Sequence, residues 1–154
     1  MSLLPRLIYN VGKLYWWVTR PITLGVRLLI IKDQQVLLVK HTYQPSYWFL
    51  VGGGVKRNEN LMEAARREAQ EEVGAKLGDL KLFGVYTNYF DHKSDHVVVF
   101  VCTDFTLLGG SDREIEKYEF FPLDHLPANL AAGHKRRIFE YINNSEPVPF
   151  VGMW

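Results

Sequence analysis

Apolar residues come in short runs bounded by turn formers. Residues 23–31 read TLGVRLLII and residues 36–40 read VLLVK, with polar residues 32–35 between them, the pattern of two strands joined by a turn. A loop carrying Tyr43, Gln44 and Pro45 then leads to a short strand at 48–51, and further strands are predicted near 80–89, 96–105 and 114–121. Helical spacing rules elsewhere. Met62, Ala65, Ala69 and Val73 form an apolar stripe, and an amphipathic helix is predicted over 128–143. Leu3, Leu4, Leu7, Ile8, Val11, Leu14, Tyr15 and Val18 recur at the same period, predicting an amphipathic helix over 1–20. Repeats, low-complexity tracts and linkers are absent, so residues 1–154 read as one domain with a tail at 146–154.

Composition narrows the class. At 154 residues with 47% apolar content, the chain can bury a substantial core. Its net charge of +1 gives no bulk field for a nucleic-acid polymer. Arg6, Asn10, Lys13 and Arg20 interrupt the N-terminal helix, which excludes a membrane span, and no small-residue cleavage site follows. A helix capping the domain or contacting a second copy in a homodimer explains the pattern better than one lying on a membrane with Trp16 and Trp17. The single cysteine, Cys102, sits in the run HVVVFVCTDF, where packing in a strand and a reducing cytoplasm are the natural expectations.

The segment GGVKRNENLMEAARREAQEEVGA, from Gly53 to Ala75, changes the picture. At about 100° per residue, Glu71 lies roughly 60° to one side of Glu68 and Glu72 about 40° to the other, so three carboxylates share one helix face. Their repulsion calls for a cation. A solvated acidic helix is the plain alternative for such spacing alone. Here, however, Gly52, Gly53 and Gly54 feed into the helix and Gly74 ends it, an arrangement suited to metal and phosphate.

Gly53, Glu59, Arg67, Glu68, Ala69, Glu71, Glu72, Gly74 and Ala75 match every fixed position of the Nudix hydrolase signature, and the chain resembles that family from about 23 to 143. The flanking segments VLLVKH, YWFLVGGGVKRNE and EIEKYEFFPLDHLP are similar too, with Val51 where many relatives carry proline. The resemblance implies an α/β fold, an α/β/α sandwich with a mixed sheet. It also implies hydrolysis of a diphosphate in a nucleoside diphosphate-linked small molecule or a nucleoside triphosphate, with Mg²⁺ or Mn²⁺ as cofactor. On that basis Glu68, Glu71 and Glu72 are expected metal ligands, joined by the carbonyl of Gly53 or of its neighbour Gly52. Glu71, Glu68 and Glu114 are the candidate catalytic acids and bases, with Glu116 a further one. Arg67 and Glu59 orient them, and Glu63 is spaced to pair with Arg67. A nucleotide-binding module without hydrolysis and a hydrolase of lipid-linked diphosphates are the competing readings.

Substrate determinants are less defined. Tyr43, Tyr47, Trp48, Tyr89 and Phe90 are candidates to stack a base, Trp48 more plausibly being core, while Arg27, Lys40, Lys56 and Arg57 are candidate phosphate contacts. His92 and His96 lack the partners of a zinc site, and their segment DHKSDH is expected to form a loop over the site. Lys135, Arg136 and Arg137 read as a solvated helix face, and the tail from Pro147 is expected to pack on the domain or on a second subunit.

Overall fold

The computed structural model describes residues 18–90, 92–144 and 149–154, so nearly all of the predicted N-terminal helix lies outside the described residues. Among the described residues, nine strands and two long helices follow in the order β1 (Ile22–Lys32), β2 (Gln35–His41), β3 (Gln44–Leu50), α1 (Leu61–Val73), β4 (Ala75–Leu77), β5 (Lys81–Phe90), β6 (Lys93–Cys102), β7 (Phe105–Leu107), β8 (Ile115–Pro122), α2 (Ala132–Asn143) and β9 (Phe150–Met153). A seven-stranded mixed sheet runs β3-β2-β1-β6-β5-β9, with β8 paired to β2, and β4 and β7 form a separate ribbon. This is the expected α/β architecture.

Strand alternation divides the core into two layers. Val26, Leu28, Ile30, Leu37 and Val39 join Ala64, Ala65, Ala69 and Val73 of α1 on one face. Leu29, Ile31, Val36 and Leu38 join Ile138 of α2 on the other. Helices thus cover both faces, and each fully buried Leu or Val adds ~1.5–3 kcal/mol relative to an exposed one. Met62 is 49% exposed, so the stripe holding α1 to the sheet is made of small residues. That choice brings the helix backbone close to the strands.

The caps of α1 are sharp. Asn60 Oδ1 accepts from the Glu63 amide and Glu63 Oε2 accepts from the Asn60 amide, a reciprocal capping box. Gly74, at φ 61, closes the other end. Glu63 is therefore occupied at the helix start, which overturns its expected pairing with Arg67.

Between β1 and β2 the sheet forks. These strands pair only at Ile31↔Val36 and Lys32↔Gln35. β1 then follows β6, in parallel register from Ile22↔Ser94 to Ile30↔Cys102, while β2 follows β3 and β8. Residues 51–55 enter the fork and run antiparallel to β1.

Two segments differ from expectation, and the tail takes one of its two expected places. The DHKSDH segment is not a free loop: Lys93–His96 belongs to β6 and pairs with β5, with His92 turning the hairpin at φ 64. The tail packs on the domain, β9 pairing in parallel with β5 from Gly84↔Phe150 to Thr87↔Met153. Arg137 is buried at 3% exposure, lies 3.8 Å over the Tyr86 ring, and donates to the Met153 carbonyl at 3.0 Å and to Glu140 at 2.9 Å. Its helix face is a docking surface for the tail, not a solvated one.

Candidate active site

Antiparallel pairing decides where the glycine segment points its carbonyls. Val51 and Gly53 turn theirs to β1, accepting from the Leu28 and Val26 amides at 2.9 Å each, and Val55 donates to the Leu24 carbonyl at 2.9 Å. The Gly52 carbonyl between them instead accepts from the Arg27 guanidinium. Gly52 itself has φ +133, and a Cβ there would lie 2.2 Å from the Val26 carbonyl oxygen. Only glycine fits.

Small residues let α1 set its acidic face against this segment. Glu72 is 6% exposed, and its Oε2 accepts from the Gly52 amide at 2.8 Å. Its other oxygen lies 3.8 Å from His41 Nε2. Burial outweighs the amide and the charge of Arg27 and pushes the carboxyl up to about 8. Glu68 presses on Gly53, where an added Cβ would meet its carboxylate at 2.7 Å. Glu71 is more open, its side chain 41% exposed and 3.6 Å from Lys56 Nζ.

Arg67 ties these acids together. It donates through Nε to Glu59 Oε1 at 2.6 Å and through Nη2 to Glu59 Oε2 at 2.9 Å and the Gly54 carbonyl at 2.9 Å. Nη1 bridges Glu68 at 2.6 Å and Glu71 at 3.0 Å. The guanidinium, helped by the Lys56 amide, holds the Glu59 carboxyl down at about 2.

His41 closes one side. Burial and the charge of Arg27 push its imidazole below the usual histidine range, and its Nδ1 is buried without a hydrogen-bond partner. The ring is stacked beneath Tyr43 and tilted against Phe49. Asp112, whose amide donates to the Glu71 carbonyl at 2.8 Å, bears electrostatically on both His41 and Glu72. Glu114 is exposed in the turn before β8, its amide donating to Asp112 Oδ1 at 2.9 Å and its carbonyl accepting from Thr42 at 2.8 Å. Deeper in, His134 Nδ1 accepts from the Leu50 amide at 3.0 Å, which fixes the Nε2–H tautomer.

The structure therefore gathers Gly52, Gly53, Glu59, Arg67, Glu68, Glu71 and Glu72 at one place and sets Glu114 at its rim. Glu116 follows on β8, exposed. His41 and Asp112 are site residues that the sequence reading passed over. Strand parity was the available signal for His41, since it follows Leu37 and Val39 onto the α1 face.

Does this donor set suit a divalent cation? Three carboxylates and a carbonyl offer hard oxygen ligands of the kind Mg²⁺ and Mn²⁺ take. Gly53 leaves room for the Glu68 carboxylate and for nothing larger than hydrogen on its own Cα. Among the described residues no three acidic, histidine or cysteine side chains already converge to grip an ion. Arg67 supplies the positive charge between Glu68 and Glu71, holding one oxygen of each through Nη1, Glu68 Oε1 and Glu71 Oε2. Mg²⁺, which keeps several waters, asks for only one or two direct carboxylates. The residues fit.

Comparison with known proteins defines the family. The family model described as the NUDIX domain matches residues 21–142. ADP-ribose pyrophosphatase of Methanocaldococcus jannaschii is 33% identical over 119 residues, covering 74% of this chain and 69% of that protein. Human diphosphoinositol polyphosphate phosphohydrolase 3-beta is 36% identical over 96 residues, 60% of this chain and 58% of that one. The crystal structure of a MutT NUDIX hydrolase from Burkholderia pseudomallei superimposes with a TM-score of 0.70 at 25% identity, covering 77% of this chain and 96% of that chain. The chain belongs to the Nudix hydrolase family. It is a hydrolase acting on diphosphate bonds.

Proposed function

We propose that this protein hydrolyses the diphosphate bond of a nucleoside diphosphate-linked small molecule, or of a nucleoside triphosphate, with Mg²⁺ or Mn²⁺. The observation that carries the reading is Glu72, an acid held almost out of water between the Gly52 amide and His41. A buried carboxyl pushed up to about 8 is costly to ionise until a cation arrives. Glu68, Glu71, Glu72 and the Gly52 carbonyl would hold that cation. When bound, it supplies charge neutralisation for the phosphates and acidifies a water.

The chain's own residues do the rest. Glu71, the most open of the three acids, takes the proton of the attacking water at its carboxylate. Arg67 orients Glu68 and Glu71 and is itself fixed by Glu59. Lys56, 63% exposed at its side chain, and Arg27 present positive charge to the phosphates. Glu114 stands at the rim, where its charge bears on Tyr43.

Release of phosphate or nucleotide from nucleoside triphosphates, nucleotide sugars, ADP-ribose and dinucleoside polyphosphates, with Mg²⁺ or Mn²⁺, tests the reading. Metal-dependent turnover by wild type, lowered at least ~10²-fold in Glu72→Gln, is the expected result. Silence across that panel would shift weight to a binding module or to a lipid-linked diphosphate.

A further inference from the structure

Of the aromatic residues eligible to meet a substrate, Tyr43 has a distinctive setting. It turns the chain between β2 and β3, and its ring lies on that of His41, centroids 4.9 Å apart and planes within 20°. One face is thereby covered, yet the residue is 65% exposed, which leaves the opposite face to solvent. Trp48, in contrast, is 6% exposed and meets Phe121 edge-on, while Phe90 lies beside the hairpin turn with Lys93 over its ring.

His41 locates this open ring relative to the chemistry. Its Nε2 is 3.8 Å from Glu72 Oε1, so a single imidazole separates Tyr43 from the carboxylate cluster. Arg27, Glu72, Glu114 and Glu68 all bear electrostatically on Tyr43, which places it on the rim of the same site. The platform is also rigid. Phe49 holds His41 from a second side at 5.3 Å, and the Thr42 amide is tied to the Glu114 carbonyl at 2.8 Å. A flat π surface held open beside a diphosphate-cleaving centre is suited to stacking a planar aromatic ring, the contact that base–aromatic stacking makes.

Resting on the diphosphate-hydrolase reading above, we propose that Tyr43, backed by His41, is the stacking platform for an aromatic base carried by the substrate. The substrate is then a nucleoside derivative, and diphosphates without a base are poor ones. Tyr43 acts on binding and touches no reacting atom, so its removal raises KM and leaves kcat nearly unchanged.

The test compares Tyr43→Ala, Tyr43→Leu and Tyr43→Phe with wild type on the preferred nucleoside substrate and on phosphoribosyl pyrophosphate, which lacks a base. Calorimetric binding of ADP-ribose and of a nucleoside triphosphate in EDTA gives a readout independent of turnover. We expect about a 10- to 100-fold rise in nucleotide KM and Kd for the Ala and Leu variants. Tyr43→Phe should match wild type, and KM for phosphoribosyl pyrophosphate should be the same throughout. An equal rise for both substrates, or no rise for the nucleotide, overturns the platform. So does cleavage of phosphoribosyl pyrophosphate by a wild type that neither binds nor cleaves any nucleotide, which leaves diphosphate hydrolysis standing. Tyr43-dependent nucleotide binding without turnover would uphold the platform and sink the hydrolytic reading.

Discussion

Arg67 grips Glu59 with two hydrogen bonds, Nε to Oε1 at 2.6 Å and Nη2 to Oε2 at 2.9 Å. This bidentate contact holds the guanidinium plane so that only Nη1 reaches Glu68 and Glu71. In Glu59→Gln that plane is released and the arginine competes more fully for the two acids. The expected result is a ~10- to 100-fold loss in apparent Mg²⁺ affinity or turnover, read from metal titrations of activity. An unchanged half-saturating Mg²⁺ concentration and rate would refute the orienting role.

Adjacent glycines should fail in different ways. Gly52→Ala forces a Cβ to 2.2 Å from backbone at φ +133, so a loss of at least ~2 kcal/mol is expected in urea unfolding. At Gly53→Ala the nearest atoms to the added Cβ belong to the end of the Glu68 side chain, at 2.7 Å, which can swing away. That variant should fold with near-normal stability and lose turnover by ~10²-fold through the misplaced carboxylate. Equal destabilisation of both would contradict the assignment.

Metal binding should expel a proton. Without metal the Glu72 carboxyl sits at about 8, so it carries a proton at pH 7 and must shed it to ligate. Metal affinity is expected to climb, at most about tenfold per pH unit, until pH 8. The sign for stability is opposite: metal-free protein loses stability from Glu72 as pH rises from 4.5 to about 8, because the unfolded chain gives up that proton first. Calorimetry with Mg²⁺ in buffers of different protonation enthalpy should reveal the released proton in wild type and not in Glu72→Gln. Buffer-independent heats would rule it out.

Acid should act through histidine. His134 is held well below its ordinary 6.5 by burial, so the unfolded chain takes up a proton that the folded one refuses. Stability from this group is complete above about 6.5 and falls by up to about 1.4 kcal/mol per pH unit below it. His41 shifts in the same direction. Denaturant unfolding at pH 5 and 7 should show a shallower acid loss in His134→Gln, whose amide oxygen can still accept from Leu50. An identical pH slope would exclude His134 as a source.

Helix α1 and its acids were readable because they depend on local chemistry: a capping box at Asn60 and Glu63, a glycine C-cap, and carboxylates at helical spacing. The partner of Arg67 was half legible, since Glu63 and Glu59 both fit in sequence and only the cap decides between them. Which glycine turns its amide to Glu72 and its carbonyl away from β1 was not legible at all. That depends on the register of residues 51–55 against β1, a long-range pairing with no local signature. Strand β9 was hidden for a similar reason, three of its four residues being exposed and its place defined by Arg137, whose charge suggested solvent. His41 escaped notice because its neighbours Leu37 and Val39 are plain core and its own contacts come from α1 and β3.

The fork between β1 and β2 bears on how the site is encoded along the chain. The acids of the proposed chemistry lie in residues 51–74, on the glycine segment and α1, whereas the open ring of Tyr43 belongs to the preceding hairpin turn. The two are encoded apart and meet in space through His41. On the proposed reading, substitutions at the hairpin tip change which molecules are accepted while leaving the acids of α1 in place.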